Sequence, residues 1–356
     1  MQSSKEAFLA LVRLGIGHTA GILPNIFNWD EIQALADAQG LCAVVIDGTE
    51  KLPENQRPPK TFLLQWIGEV LQGYEFRYEL YRRTIGEMAA FYHEHGFKMM
   101  VLKGFACSLN WQKPEHRPCG DIDIWQFGQQ KEADAILARV KGINVDKSHH
   151  HHTVFKWGDF TVENHYDFNN IHHHKSSAEL EKIFKELGKD NSHSVEIFGE
   201  MVYLPSPNLH ALFLLKHSMT DFAAFYVTLR QVLDWAFFVK AHGKEVDWEW
   251  LSRVMEQYHM LDFFNTINAI CVEDLGFEVN IFPNLRFSNS LKDKVLADIL
   301  APKFTRRTPK RLIPRLLYKF RRWKGNAWKH DMCYNESLWS AFWTGVWNHI
   351  TKPASI

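Results

Sequence analysis

Asp121 and Asp123, in the stretch RPCGDIDIW (117–125), are separated by a single apolar residue. On an extended strand, residues i and i+2 share a face, so both carboxylates would point the same way. Carboxylates held that close repel one another unless a cation sits between them. Hard divalent ions such as Mg²⁺ take oxygen ligands and commonly leave their remaining positions to substrate phosphates. A third carboxylate from a neighbouring strand would complete a two-metal site for phosphoryl transfer. Glu163 is the candidate: it lies mid-strand in FTVENHYDF (160–168), sharing a face with Thr161, His165 and Asp167. Upstream, Lys103-Gly104 follows the apolar run KMMVL and precedes a short helix, FACSLNW. Its backbone N–H groups could hold a triphosphate, with glycine allowing close approach and the lysine adding charge. The plainer reading of Gly-Asp-x-Asp is a turn entering a buried strand, and the motif alone does not separate the two.

The combination is more specific. Leu102-Lys103-Gly104, Arg117 with Gly120-Asp121-Ile122-Asp123-Ile124, and Val162-Glu163-Asn164-His165 follow one another in that order. This layout resembles the nucleotidyltransferase superfamily that includes DNA polymerase β and kanamycin nucleotidyltransferase. More narrowly, it resembles a family of uncharacterised bacterial nucleotidyltransferases, whose C-terminal helices are similar to LLKHSMTDFAAFYVTLRQVLDWA (214–236). The resemblance implies that Asp121 and Asp123 bind two Mg²⁺ ions. Glu163 would ligate the catalytic metal or accept the acceptor hydroxyl's proton, and Lys103 and Gly104 would contact the nucleotide phosphates. It further implies an NTP substrate, transfer of an NMP to a hydroxyl or phosphate acceptor, and release of pyrophosphate. The chain departs from the wider superfamily at Lys-Gly-Phe (103–105), where Gly-Ser is usual, so a serine contact to the phosphates is missing. The Lys-Gly form also resembles toxins of abortive-infection systems, which makes tRNA an alternative acceptor. A non-catalytic nucleotide-binding or scaffold protein on the same fold is the other alternative.

Several polar residues carry two readings. Arg117 could neutralise a phosphate, or pair at the surface with Glu115 or Asp121. His165 could contact substrate or orient a ligand, or be a hydrogen-bonded strand histidine. Lys216, His217, Asp221, Arg230 and Asp234 interrupt otherwise apolar helices and could line an acceptor site, although Arg230 and Asp234 are also spaced as an ordinary i, i+4 helix pair.

Positioning these groups requires a mixed framework. Residues 1–95 read as a helical region, including a long helical pattern over 62–96 that ends at Gly96. Residues 96–205 read as the core: strands at 98–102 and from 121 to 127, a helix over 131–140, and a hairpin, TVFKW/FTVENHYDF, around Gly158-Asp159, a pair suited to a type II′ turn. Ser176 and Glu179 read as a capping box for the helix that follows, and EMVYLP reads as a further short strand. Residues 206–356 read as a helical domain opened by Ser206-Pro207. The expected class is α+β, a nucleotidyltransferase-type mixed sheet with flanking helices, preceded and followed by helical regions.

The histidine tracts (149–152 and 172–174) raise the question of zinc. On a strand, His149 and His151 would face one side and His150 and His152 the other, so at most two would converge. A closed zinc set needs three or four ligands. The segment 303–329 holds 11 of the chain's 41 Lys and Arg and none of its 41 Asp and Glu, leaving 30 basic residues against 41 acidic ones elsewhere. It could bind RNA or an anionic membrane surface. The favoured reading is a solvated helix face with Phe320, Trp323, Trp339, Trp343 and Trp347 packed inward, leaving a small molecule as the favoured acceptor. Five scattered cysteines without a CxxC pair point to a reducing compartment. With neither a signal-peptide pattern nor a membrane-length apolar run, the expected location is cytoplasmic.

Overall fold

Apolar side chains at three- and four-residue intervals generate most of the chain's helices, and short β-branched runs generate its sheet. The computed structural model describes residues 2–340 apart from 22, 24–26, 173, 284–287 and 306–307, together with 343–344. The N-terminal helices are α1 (Gln2–Gly15), α2 (Trp29–Gln39), α3 (Cys42–Glu50), α4 (Lys60–Val70) and α5 (Arg77–Glu94). A π-helical stretch, Leu71–Phe76, joins α4 to α5. This wider turn resets the apolar phase. Before it, Trp66 and Val70 pack with the other N-terminal helices. After it, Tyr78, Tyr81 and Ile85 pack on the sheet. α5 ends at Gly96 (φ 81°), where the Phe97 and Gly96 amides donate to the Tyr92 and His93 carbonyls at 2.9 and 3.0 Å, a Schellman pair.

The core elements are β1 (Met100–Val101), α6 (Phe105–Ser108), β2 (Ile122–Trp125), α7 (Gln130–Lys141), β3 (His152–Trp157), β4 (Phe160–His165), α8 (Lys175–Leu187), β5 (Ser194–Ile197) and β6 (Glu200–Tyr203). They form one six-stranded mixed sheet ordered β3-β4-β2-β1-β6-β5. β2 runs parallel to β4 and antiparallel to β1. The two faces are covered differently. Val101, Ile122, Ile124 and Val162 pack with α5 and α7, whereas Met100, Leu102 and Trp125 join the larger cluster that contains both the N-terminal helices and the C-terminal ones. Those last are α9 (Pro207–Ala224), α10 (Leu229–His242), α11 (Trp248–Gln257), α12 (Leu261–Ala269), α13 (Asn289–Leu300), α14 (Leu312–Gly325) and α15 (Ala327–Cys333). No helix among the described residues is long and apolar enough to cross a membrane.

Four sequence expectations change. β5 is an additional strand, paired to β6 through Phe198-Gly199 at φ 52° and 85°; its alternation is polar and mostly exposed, which hides it in the sequence. Ser176 lies inside α8 instead of capping it: His174 is the N-cap residue, and the Glu336 carboxylate accepts from the Ser176 amide (3.1 Å) and contacts His174 Nδ1 (2.6 Å). Residues 149–151 are a bend before β3, so strand alternation does not govern them. Finally, Phe320, Trp339 and Trp343 are 56%, 59% and 63% exposed instead of packed inward, and α14 buries none of its residues. Trp347 lies outside the described residues.

Candidate active site

The β2–β4 ladder sets the geometry. In its register Asp123 pairs with Glu163 and Trp125 with His165. The antiparallel β3–β4 ladder adds His152 opposite His165. Because Ile122, Ile124 and Val162 are buried on the other face, the polar residues must turn toward the C-terminal helices. One ligand atom each from Asp123, Glu163 and His165 falls within 4.8 Å of the other two.

Asp123 is almost fully buried. Its Oδ1 lies 2.9 Å from Lys103 Nζ and 3.2 Å from His165 Nε2. Burial alone would raise this carboxyl, but the charge of Lys103 and the hydrogen bond from His165 hold it well below the usual carboxylate range. Burial likewise works to lower Lys103, and is outweighed by the charges of Asp123 and Glu163, so the lysine rises. Glu163 is pushed up to about 7, first by burial and then by the negative charge of Asp123. Two carboxylates in one site thus separate into an ionised one and one that holds its proton near neutrality.

His165 Nδ1 lies 3.2 Å from the Asp167 carbonyl. A carbonyl can only accept, so Nδ1 can donate there, while Nε2 is the nitrogen that meets Asp123 and Glu163 (3.7 Å to Oε2). A histidine fixed by a backbone carbonyl, with its second nitrogen aimed at carboxylates, has the outer-shell arrangement common to metal ligands.

The Lys103-Gly104 turn is locked against the strand it serves. Gly104 sits at φ 59° and ψ −98°; a side chain there would collide with the Tyr81 hydroxyl, which donates to the Asp121 carbonyl at 2.9 Å. α6, which follows, is a single turn, so it supplies little macrodipole. Asp121 itself precedes β2 and is exposed, outside the converging group.

Arg117 is not the surface residue paired with Glu115 or Asp121 that one of its sequence readings expected. It is buried and forms a two-pronged pair with Asp234 on α10, Nε to Oδ1 at 2.7 Å and Nη2 to Oδ2 at 2.9 Å. Trp111 Nε1 also donates to Asp234, at 2.9 Å. Asp234 is therefore engaged by Arg117 and Trp111, not by the i, i+4 residue Arg230, which lies within the field of the Arg117–Asp234 pair.

Lys216 and His217 line a cavity of about 850 Å³ walled by Phe168, Phe213, Phe320 and Tyr334. His217 Nε2 is 3.5 Å from Lys103 Nζ, which joins the cavity to the carboxylate site. Lys216 is 2% exposed, lies over the Tyr334 ring (4.8 Å), and makes no ion pair among the described residues; burial lowers it to about 8. Arg230 and His165 are not among the lining residues.

His151 and His152 were not anticipated beside the carboxylates. Two members of the tract do converge, but they are adjacent ones, because the bend before β3 frees His151 from alternation. The signal was present in the sequence: a two-residue turn at Gly158-Asp159 fixes the hairpin register and puts His152 opposite His165.

Residues 25–276 match a family model described as an uncharacterised nucleotidyltransferase. Comparison with curated proteins gives no match. Among solved structures, the chain is similar to an antigenic nucleotidyltransferase-like protein from Paracoccidioides brasiliensis at 12% identity and a TM-score of 0.37, over 57% of this chain and 96% of that one.

Proposed function

The chain belongs to the uncharacterised nucleotidyltransferase family, and from that premise we propose that it transfers an NMP from an NTP to a hydroxyl- or phosphate-bearing acceptor with release of pyrophosphate. The observation that carries the proposal is the pairing of Asp123 with Glu163 across parallel strands, with Lys103 already bound to Asp123. The donor set suits a divalent cation: two carboxylates and an oriented imidazole converge, and one carboxyl retains a proton that a cation would displace. Asp123 and Glu163 would hold Mg²⁺, with His165 beside them and the exposed Asp121 available to a second ion. When bound, such ions neutralise charge on the transferring phosphoryl group.

The protein's own residues would do the rest. Lys103 would move from Asp123 to the phosphates, and Gly104 would let the backbone approach them. Glu163, poised near neutrality, would take the acceptor's proton or complete the metal shell. Arg117 would hold the 117–121 segment to α10 and act on the nucleotide only through that position. The apolar cavity would take the acceptor, with His217 and the buried Lys216, which makes no ion pair among the described residues, available to its polar groups. Those aromatic walls favour a small organic acceptor bearing an anionic group over a polynucleotide. His165 would orient the site instead of touching the acceptor, and Arg230 would support Arg117 and Asp234. Five free thiols support a reducing, cytoplasmic location.

A non-catalytic scaffold that holds no nucleotide is the second reading, favoured by the Lys103–Asp123 pair occupying the metal position. Calorimetry with ATP and Mg²⁺ separates the two. Metal-dependent nucleotide binding that weakens in Lys103→Met supports the proposal, and absence of binding at millimolar nucleotide rejects it.

A further inference from the structure

Four imidazoles crowd the edge of the site. Ring centroids of His149 and His152 are 5.0 Å apart, His151 and His152 4.3 Å, His152 and His165 5.3 Å, and His151 and His165 5.6 Å. Nitrogens of His151, His152 and His165 all lie within 4.8 Å of one another. The crowding is not explained by hydrogen bonding. Nδ1 of His151 and Nδ1 of His152 are buried with no hydrogen-bond partner among the described residues, and His152 as a whole is only 7% exposed. Its Nε2 lies 3.9 Å from Glu163 Oε1, a long contact that leaves room for an atom between them. Orphaned buried nitrogens cost about 1–3 kcal/mol each unless something satisfies them.

We propose that His151, His152 and His165, with Glu163 as a fourth donor, form a nitrogen-rich site for a borderline divalent transition ion, distinct in chemistry from an oxygen-rich Mg²⁺ position at Asp123. Imidazole nitrogens bind Zn²⁺, Fe²⁺, Ni²⁺ and Cu²⁺ well, whereas Mg²⁺ takes oxygen and keeps water. Three imidazoles and a carboxylate make a set of the size a tetrahedral ion needs. The present nitrogen spacing is wider than a closed shell, so ring rotation would draw the ligands in. The His151 carbonyl accepts from the Tyr166 and Asp167 amides (both 3.0 Å), which hold the bend against the end of β4. His165 is already oriented by the Asp167 carbonyl. The nitrogen-rich position and the Mg²⁺ position would then share Glu163.

This inference deepens the site proposed above, but its readout needs neither nucleotide nor turnover, so its failure leaves nucleotidyl transfer untouched. The probe is Co²⁺, titrated into chelator-stripped full-length protein and followed by its visible d–d absorption. The expected result is one equivalent bound with a low-symmetry, tetrahedral-type spectrum, displaced by Zn²⁺ and unmoved by a hundredfold excess of Mg²⁺. His152→Ala and His151→Ala should each weaken Co²⁺ binding by at least about tenfold. An unaltered affinity in both variants, or ready displacement by Mg²⁺, overturns the proposal. X-ray absorption on the Co²⁺-loaded wild type needs no variant: imidazole scattering from two or three rings supports it, and an oxygen-only shell refutes it.

Discussion

Lys103 Nζ lies 2.9 Å from Asp123 Oδ1, and the same oxygen lies 3.2 Å from His165 Nε2. The ammonium therefore neutralises the carboxylate where a divalent cation would be held. Removing one partner of a buried pair leaves an uncompensated charge and typically costs about 3–5 kcal/mol. Lys103→Met should accordingly unfold at lower denaturant concentration than the wild type, and Mg²⁺ or Mn²⁺ should restore more stability to the variant than to the parent. Urea melts with and without metal read both effects. A variant as stable as wild type in chelator would show that Lys103 is not the counterion.

The Arg117–Asp234 pair anchors the entry to β2. Arg117→Met should destabilise the fold by about 3–5 kcal/mol, with much of that loss recovered in Arg117→Met/Asp234→Leu. The recovery stays incomplete because Trp111 Nε1, 2.9 Å from Asp234, loses its acceptor. Arg117→Lys should remain impaired, since an ammonium cannot reproduce the two-pronged contact. A denaturation cycle over wild type, Arg117→Met, Asp234→Leu and the double variant measures the pair, and a single-variant cost under about 1 kcal/mol would make this a marginal contact.

Gly104→Ala combines a backbone region that disfavours side chains, about 1–3 kcal/mol, with a collision against Tyr81. Adding Tyr81→Phe should relieve the collision but not the backbone strain, and it removes the donor to the Asp121 carbonyl, so the double variant should be less destabilised than the sum of the two single variants. Equal stability of Gly104→Ala and wild type in thermal melts would contradict the observed turn.

His116 links this segment to the N-terminal helices through Asp47 (2.7 Å) and Glu75 (3.3 Å). Burial works to lower the imidazole, but the hydrogen bond and charge of Asp47 outweigh it, raising His116 above its ordinary 6.5. Asp47 is lowered in turn, burial notwithstanding, by His116 and Lys113. A raised histidine contributes stability that is complete below its unfolded value and lost as pH rises through its folded one. The lowered aspartate's contribution is present above its unfolded value of 3.8 and lost on acidification. The wild type should therefore lose stability relative to His116→Gln as pH rises above the ordinary histidine value of 6.5 and through the raised folded one. Parallel stability curves for the two proteins across that interval would remove His116 from the account.

The order Lys103-Gly104, Gly120-Asp121-Ile122-Asp123 and Val162-Glu163 carried the fold class, because alternating apolar and acidic residues state which strand faces are buried. The sequence showed neither how unequal the two aspartates are nor where Arg117 goes. Asp121 falls outside β2, whose pairing begins at Ile122, and Arg117 finds Asp234 across 117 residues of chain. Both depend on long-range packing that local periodicity does not encode. His151 was missed because a bend replaced the expected strand. The exposure of α14 was missed because helical spacing says which residues share a face, not whether anything covers it.

Transfer of label from α-phosphate-labelled NTPs tests the central claim most directly, with purified protein, divalent metal and a small-molecule cell extract as the acceptor source. The account predicts metal-dependent labelling of an acceptor with one pyrophosphate released per transfer. Asp123→Asn and Glu163→Gln should each reduce it by more than about a hundredfold while their circular dichroism stays that of the wild type. Undiminished transfer in Asp123→Asn, or release of the γ-phosphate in place of pyrophosphate, would contradict it.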